Sequence, residues 1–149
     1  MISIAQETPR SPDALALIAG SEQAMRAVYA PEDCHTLSPD ELDQPHIAFY
    51  VARRDGQALG CVALVNNGDY AEVKRLFVVP EGRGLGLSKQ LMDHLEAAAK
   101  QAGLAKVMLE TGDQLTAAVH LYKQRGYSVR GPFACYEVSP ASLFMEKIL

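Results

Sequence analysis

In the stretch Val78-Val79-Pro80-Glu81-Gly82-Arg83-Gly84-Leu85-Gly86-Leu87-Ser88-Lys89, residue types and spacing suggest chemistry most directly. An apolar run ends at Pro80, three glycines alternate with other residues, and an amphipathic pattern begins at once. Backbone N–H groups at a helix start carry partial positive charge and lack a partner within the helix, so such a loop can wrap a phosphate. Arg83 and Lys89 add full charges beside it. Two common phosphate loops are excluded by spacing: Gly-x4-Gly-Lys-Ser/Thr is absent, and GxGxxG fails because position 87 holds leucine. Read alone, the glycines also serve simply to turn the chain between strand and helix. The arginine, and the position of the loop at a strand-to-helix crossover, favour an anion site. Other chemistry is poorly supported. Cys34, Cys61 and Cys135 show no CxxC spacing and read as free thiols. His35, His46, His94 and His120 lack paired ligand spacing, so no metal site is expected.

The elements that must position this loop follow from periodicity and turn signals. Met1 to Ala5 alternates as a short strand, and Ser11-Pro12-Asp13 is a good helix start for a helix over Ala14 to Tyr29, despite Gly20. Pro31 to Pro45 is broken by three prolines and holds at most a short helix over Pro39 to Leu42, so it reads as a rim segment. Strands are expected at His46 to Arg53, Ala58 to Val65 and Tyr70 to Val79, separated by the turns Asp55-Gly56 and Asn66-Asn67-Gly68-Asp69. Gly84 to Lys100 reads as a helix with Leu87, Leu91, Leu95 and Ala98 on one stripe, ended by Gly103. Lys106 to Thr111 is a further strand, Leu115 to Arg125 a helix stopped by Gly126, and Tyr127 to Arg130 and Leu143 to Ile148 the last strands. This order implies an α/β fold with a central, mostly antiparallel mixed sheet flanked by helices, in one domain over residues 1–149. Its strand-helix-strand step, Tyr70 to Thr111, puts a helix N-terminus beside the carboxyl end of a strand, where ligands commonly bind.

Composition narrows the function classes. The chain has 149 residues, 48% hydrophobic and 21% charged, as expected of a globular chain that buries roughly two-thirds of its unfolded surface. Fourteen basic and 18 acidic side chains give a net charge of −4, which argues against nucleic acid as a partner. No run approaches the roughly 20 apolar residues that span a bilayer, and Met1 to Arg10 does not follow the pattern of a secretory signal. A cytoplasmic protein with no membrane partner is the expectation.

Pro80-x-x-Arg83-Gly84-x-Gly86-Leu87-Ser88, after the strand Ala71-Glu72-Val73-Lys74-Arg75-Leu76-Phe77-Val78-Val79, resembles the acetyl-CoA-binding motif of the GNAT superfamily of N-acyltransferases, Gln/Arg-x-x-Gly-x-Gly/Ala. Serine in the last place is a departure, small enough to keep the loop shape. Ala118-Val119-His120-Leu121-Tyr122-Lys123-Gln124-Arg125-Gly126-Tyr127 resembles the second hallmark, Ala-x-x-Leu-Tyr-x-x-x-Gly-Phe/Tyr. The order of elements is similar as well. Gly131-Pro132-Phe133 and Phe144-Met145-Glu146-Lys147 resemble a bacterial subgroup of small GNAT enzymes.

The resemblance implies acetyl-CoA as acyl donor and a GNAT-like acyl-CoA N-acyltransferase fold. Phe77, Val78 and Val79 would pair with pantetheine through their backbone, and Arg83, Gly84, Leu85, Gly86, Leu87 and Ser88 would cradle the diphosphate. An N–H near Val78 would stabilise the oxyanion. Tyr122 would be the general acid beside the coenzyme A sulfur. On periodicity alone, however, it shares a face with Leu115, Ala118 and Val119 and reads as a core residue. Glu110 and Glu72 are the carboxylates that could serve as general base; both also read as ordinary ion-paired strand residues. His35 and Tyr136 are weaker acceptor-side candidates, His120 is expected to be exposed, and nothing beside Cys135 suggests an activated thiolate. The expected reaction is direct acetyl transfer in a ternary complex to a small-molecule or amino-acid-like amine. A protein N-terminal or lysine acetyltransferase, and a non-catalytic acyl-CoA-binding module, are the alternatives. A homodimer is compatible with the resemblance.

Overall fold

Hairpin turns and a crossover helix organise the chain into one seven-stranded sheet. The computed structural model describes residues 1–31, 34, 36–134 and 136–149. Its elements are β1 (Ile2–Gln6), α1 (Pro12–Arg26), α2 (Pro39–Leu42), β2 (Ile47–Arg54), β3 (Gln57–Asn66), β4 (Ala71–Val78), α3 (Leu87–Gln101), β5 (Lys106–Gly112), α4 (Thr116–Gln124), β6 (Ser128–Arg130) and β7 (Ser142–Ile148). The strand order is β1-β2-β3-β4-β5-β7-β6, antiparallel at every step except the parallel pair β4–β5. Asp55 and Gly56, at φ 52° and 84°, form the tight β2–β3 turn that the Asp-Gly pair implies.

Apolar side chains on the two sheet faces bury separate helices. Leu87, Leu91, Met92, Leu95 and Ala99 of α3 and Tyr122 of α4 cover Leu64, Val73 and Leu109 on one face. Ala14, Leu17 and Ile18 of α1 and Leu42 of α2 cover Phe49, Cys61, Ala63 and Val65 on the other. Cys61 is fully buried, which pushes its thiol up to about 12 and keeps it inert at neutral pH. A smaller cluster, Met108, Phe133 and Phe144, lies beside Tyr70 and Tyr136.

Two helix boundaries differ from the expected ones for identifiable reasons. Helix α1 is capped by Ser11 Oγ, which accepts from Ala14 N at 3.1 Å, and it ends at Arg26 rather than Tyr29. Tyr29 instead lays its ring on Gly112, donates to Asp113 Oδ1 at 3.1 Å, and accepts from Gln114 N at 2.6 Å. A Cβ at Gly112 would stand 2.2 Å from the Tyr29 hydroxyl oxygen. Gly112→Ala is therefore expected to expel Tyr29 and cost about 1–3 kcal/mol of stability, measured by urea unfolding. Helix α3 begins at Leu87 rather than Gly84, because Gly84 and Gly86 are left-handed at φ 80° and 72°.

Candidate functional site

The site begins where β4 leaves its neighbour. Parallel pairing joins only Ala71–Val107, Glu72–Met108 and Val73–Leu109, after which β4 runs on to Val78 and β5 to Gly112 without meeting. A bulge drives this divergence. Between its pairings with Cys61 and Ala63 of β3, β4 carries one residue more than its partner, with Arg75 at φ 56°. The wedge between the strands, closed by α1 and α4, is a cleft of about 600 Å³. Phe77, Val78, Arg83, Ser88, Glu110 and Tyr122 are among its lining residues.

At one end of the wedge, backbone donors are left over. Among the described residues, no hydrogen bond runs from the N–H groups of Gly84, Leu85, Gly86, Leu87, Ser88 or Lys89 to a protein acceptor. Gly86 caps α3 without a side-chain bond, so its first-turn amides stay available to an anion. Leu87 is 2% exposed and can offer only its N–H, since its side chain is part of the core. Gly82 is buried, and a Cβ there would stand 2.9 Å from Leu87 Cδ1 and 3.0 Å from Val78 Cγ1. Arg83 is exposed at the mouth. Phe77 and Val78 pair with Cys61 and Gly60 of β3, and Val79 follows just past the end of β4. Its N–H donates to Leu59 O and its carbonyl accepts from Gly82 N, both at 2.9 Å, so its main chain is engaged within the fold.

The candidate catalytic side chains divide between two cavities. Tyr122, from α4, is buried with its ring edge-on to Tyr127, centroids 5.6 Å apart. Burial pushes its phenol well above the ordinary tyrosine range, so it holds its proton throughout neutral pH. Glu110, two residues before the end of β5, lines the cleft wall and accepts from Ser142 Oγ at 2.8 Å. Glu72 lies in an adjoining cavity of about 590 Å³ walled by Leu37, Ile47 and Val65, with Gln44 and the exposed His46 also lining it. There it accepts from the Tyr136 hydroxyl at 2.5 Å and pairs with Lys74 Nζ at 3.2 Å. Lys74 Nζ also donates to the Tyr136 hydroxyl and lies 4.9 Å from the ring centroid. Burial first, and the neighbouring Glu72 next, push the Tyr136 phenol upward. Lys74 lines both cavities and marks their junction.

The structure thus unites the loop, Tyr122 and Glu110 around one cleft and puts Glu72 next door. Tyr136, from the β6–β7 connection, joins Glu72 at close range, which its sequence neighbourhood gave little reason to expect. Lys74 and Arg75 carry a signal of their own, two consecutive cations close to Glu72 in a strand whose other residues are apolar. His120 is exposed, as expected. His35 and Cys135 lie outside the described residues. Among the described residues no group of three His, Cys, Asp or Glu side chains could hold a metal ion, and no helix is long and apolar enough to cross a membrane.

Comparison with known proteins agrees with this geometry. The acetyltransferase (GNAT) family model matches residues 16–127. The chain is 39% identical to an IAA acetyltransferase of Azospirillum brasilense, over 99% of this chain and 98% of that one. A solved structure assigned as an acyl-CoA N-acyltransferase from Klebsiella pneumoniae superposes with a TM-score of 0.84 at 33% identity, covering 100% and 98% of the two chains. The PaiA N-acetyltransferase of Thermoplasma acidophilum, solved in complex with coenzyme A, shares the fold with a TM-score of 0.81 at 20% identity over 100% and 99% of the chains. With a diverging β4–β5 pair, an uncapped glycine turn and relatives of matching length, the chain belongs to the GNAT family and is an N-acetyltransferase.

Proposed function

We propose that this enzyme transfers an acetyl group from acetyl-CoA directly to a primary amine of a small molecule, with donor and acceptor bound together. One observation carries the donor site: the edge of β4 is left unpaired by β5 after Val73, beside six consecutive amides that donate to no acceptor among the described residues. Phe77 and Val78 then offer main-chain bonds to pantetheine, and Gly84 to Ser88, with Arg83, hold the diphosphate. The family's solved members in complex with coenzyme A support this reading. The acceptor enters the cavity around Glu72 and Tyr136, whose volume of about 590 Å³ suits a small molecule.

Chemistry follows from the proton balance. An alkylamine with pKa near 10.4 is free at neutral pH in only about one molecule in 10³, so its proton must be removed for attack. Glu72, on the acceptor side, takes that proton. The neutral nitrogen attacks the thioester carbonyl, an N–H near Val78 steadies the oxyanion, and the C–S bond breaks as Tyr122 protonates the departing thiolate; the nitrogen gives its second proton to solvent as the amide forms, and solvent returns a proton to the phenolate. Glu110, on the donor wall, shapes the cleft. Tyr122→Phe is expected to lower kcat about tenfold, a modest loss because a thiolate with pKa near 8.5 leaves readily, while coenzyme A affinity changes less than about threefold. Since burial raises the phenol's pKa, Tyr122 should impose no alkaline limb on the rate profile below about pH 10.

Calorimetry with coenzyme A, followed by thioester consumption with tryptamine, putrescine, lysine and methionine as acceptors, tests the proposal. Binding with turnover of at least one amine is the expected result. Absence of binding removes the donor site, and binding without turnover of any amine removes the acceptor assignment.

A further inference from the structure

Arg75 joins two features that seldom meet in one residue. Its backbone occupies the left-handed region at φ 56°, which non-glycine residues enter at a cost. Its side chain, charged, is only 2% exposed. The bulge makes this possible, because it swings Arg75 out of register and points the side chain beneath α1 rather than along the sheet. There Nη1 donates to Ser21 Oγ at 2.8 Å, while Nε and Nη2 both donate to Leu37 O, at 3.1 and 2.8 Å. Glu22, 3.9 Å from Nη2, supplies the facing charge. Two donors closing on one carbonyl use the rigid fork of a guanidinium, which an ammonium does not possess.

The partners give the arrangement its meaning. Leu37 lies between α1 and α2, where residues 36–38 have no regular secondary structure, and it walls the cavity around Glu72 and Tyr136. Arg75 and Ser21 line the other cavity, between β4 and β5. We infer that Arg75 is a positioning residue that fixes the acceptor rim from the donor side: its main chain shapes the β4 edge, and its guanidinium holds the Leu37 carbonyl. The inference rests on the reading of the two cavities as donor and acceptor sites.

Arg75→Gly separates the two halves of this role, because glycine adopts the bulge conformation freely while the tether is lost. The readouts are hydrogen exchange of the Leu42 and Asp43 amides, which bond back to Ser38 and Pro39 just beyond the tether, and calorimetric affinity for coenzyme A. Exchange at both amides should accelerate about tenfold, and low, non-denaturing guanidinium should restore it where equal ammonium does not. Affinity for coenzyme A should stay within about threefold, and KM for the amine turned over fastest should rise about tenfold with kcat within about threefold. Unchanged exchange, equal rescue by ammonium, or a KM that does not move overturns the inference, as does a loss of coenzyme A affinity that matches the loss at the rim. If Arg75→Gly does not fold, Arg75→Lys takes its place, with accelerated exchange expected and wild-type exchange overturning the tether. Failure of the wild-type enzyme to bind coenzyme A would remove the donor reading, whereas normal binding with an unaltered rim would remove only the role of Arg75.

Discussion

Glu72→Gln is expected to lower kcat by about 10² to 10³ while leaving coenzyme A affinity within about threefold of wild type. Glutamine keeps the volume of the side chain and its capacity to accept from Tyr136, so the cavity retains its shape and loses only the base. Glu72 lies in the cavity proposed for the acceptor, 6% exposed, and its carboxylate is held by Tyr136 at 2.5 Å and by Lys74 at 3.2 Å. Removing the charge also weakens the pairing of the 12% exposed Lys74, so folding should be checked by circular dichroism before rates are compared. Glu110→Gln is the control. Its carboxylate faces the donor wall and accepts from Ser142, so kcat should fall by less than about tenfold. Should Glu110→Gln be the more damaging change, the base would be Glu110 and the assignment of Glu72 would fail.

The second large effect concerns stability. Glu96 of α3, its side chain 11% exposed, accepts from Arg125 Nη2 at 2.8 Å and Nε at 3.2 Å, from Tyr127 Oη at 2.9 Å and from Lys147 Nζ at 2.9 Å. One carboxylate thereby fastens α3 to the end of α4, to the entry of β6 and to β7. Glu96→Ala takes this acceptor from Lys147 and from a buried phenol and leaves Arg125 with Asp93, at 2.8 Å, and the Lys89 carbonyl, at an expected cost of about 3–5 kcal/mol. For a chain of this size that corresponds to a fall in Tm of about 10 °C or more, measured by calorimetry. The pH dependence has a definite sign. Burial alone would raise the pKa of Glu96, but the bonds from Arg125, Lys147 and Tyr127 outweigh it and hold the carboxylate below its usual range. The unfolded chain therefore takes up the proton first, and the contribution is complete above about pH 4.5 and fades as the pH falls through the folded-state value. The difference between wild type and Glu96→Ala should shrink at pH 3; a constant difference would show that packing, not charge, sets the cost. Tyr127 also rests edge-on against Tyr122, so this network braces the candidate acid from behind.

Much of this architecture was readable from side-chain types. Asp55-Gly56 and Asn66-Asn67-Gly68 set the hairpins, the leucine stripe after Gly86 sets α3, and the alternation of glycine with Arg83 marks a candidate anion loop. Local patterns are legible because they act through backbone conformations a few residues long. The bulge at Arg75 was not legible, since no glycine or asparagine announces the left-handed turn; its cause lies in partners far along the chain, Ser21 and Leu37. Tyr136 is legible as an acceptor-side candidate, but its partner is not, for a similar reason. Its meeting with Glu72 spans 64 positions and depends on where the β6–β7 connection folds back. Tyr29 shows the same limit: helical periodicity carried α1 through it, while the bare face of Gly112, remote in sequence, drew it out.

The two halves of the sheet, β1 to β4 and β5 to β7, are joined by only three parallel rungs. A donor lodged in the fork between them, as proposed above, would act as a keystone, supplying ladder bonds that the polypeptide does not make for itself. Occupancy and cohesion are then thermodynamically linked. At a donor concentration of about a hundred times Kd, mass action adds roughly 2.7 kcal/mol against unfolding. On that proposal, resistance to unfolding should rise with the supply of the donor that the enzyme consumes.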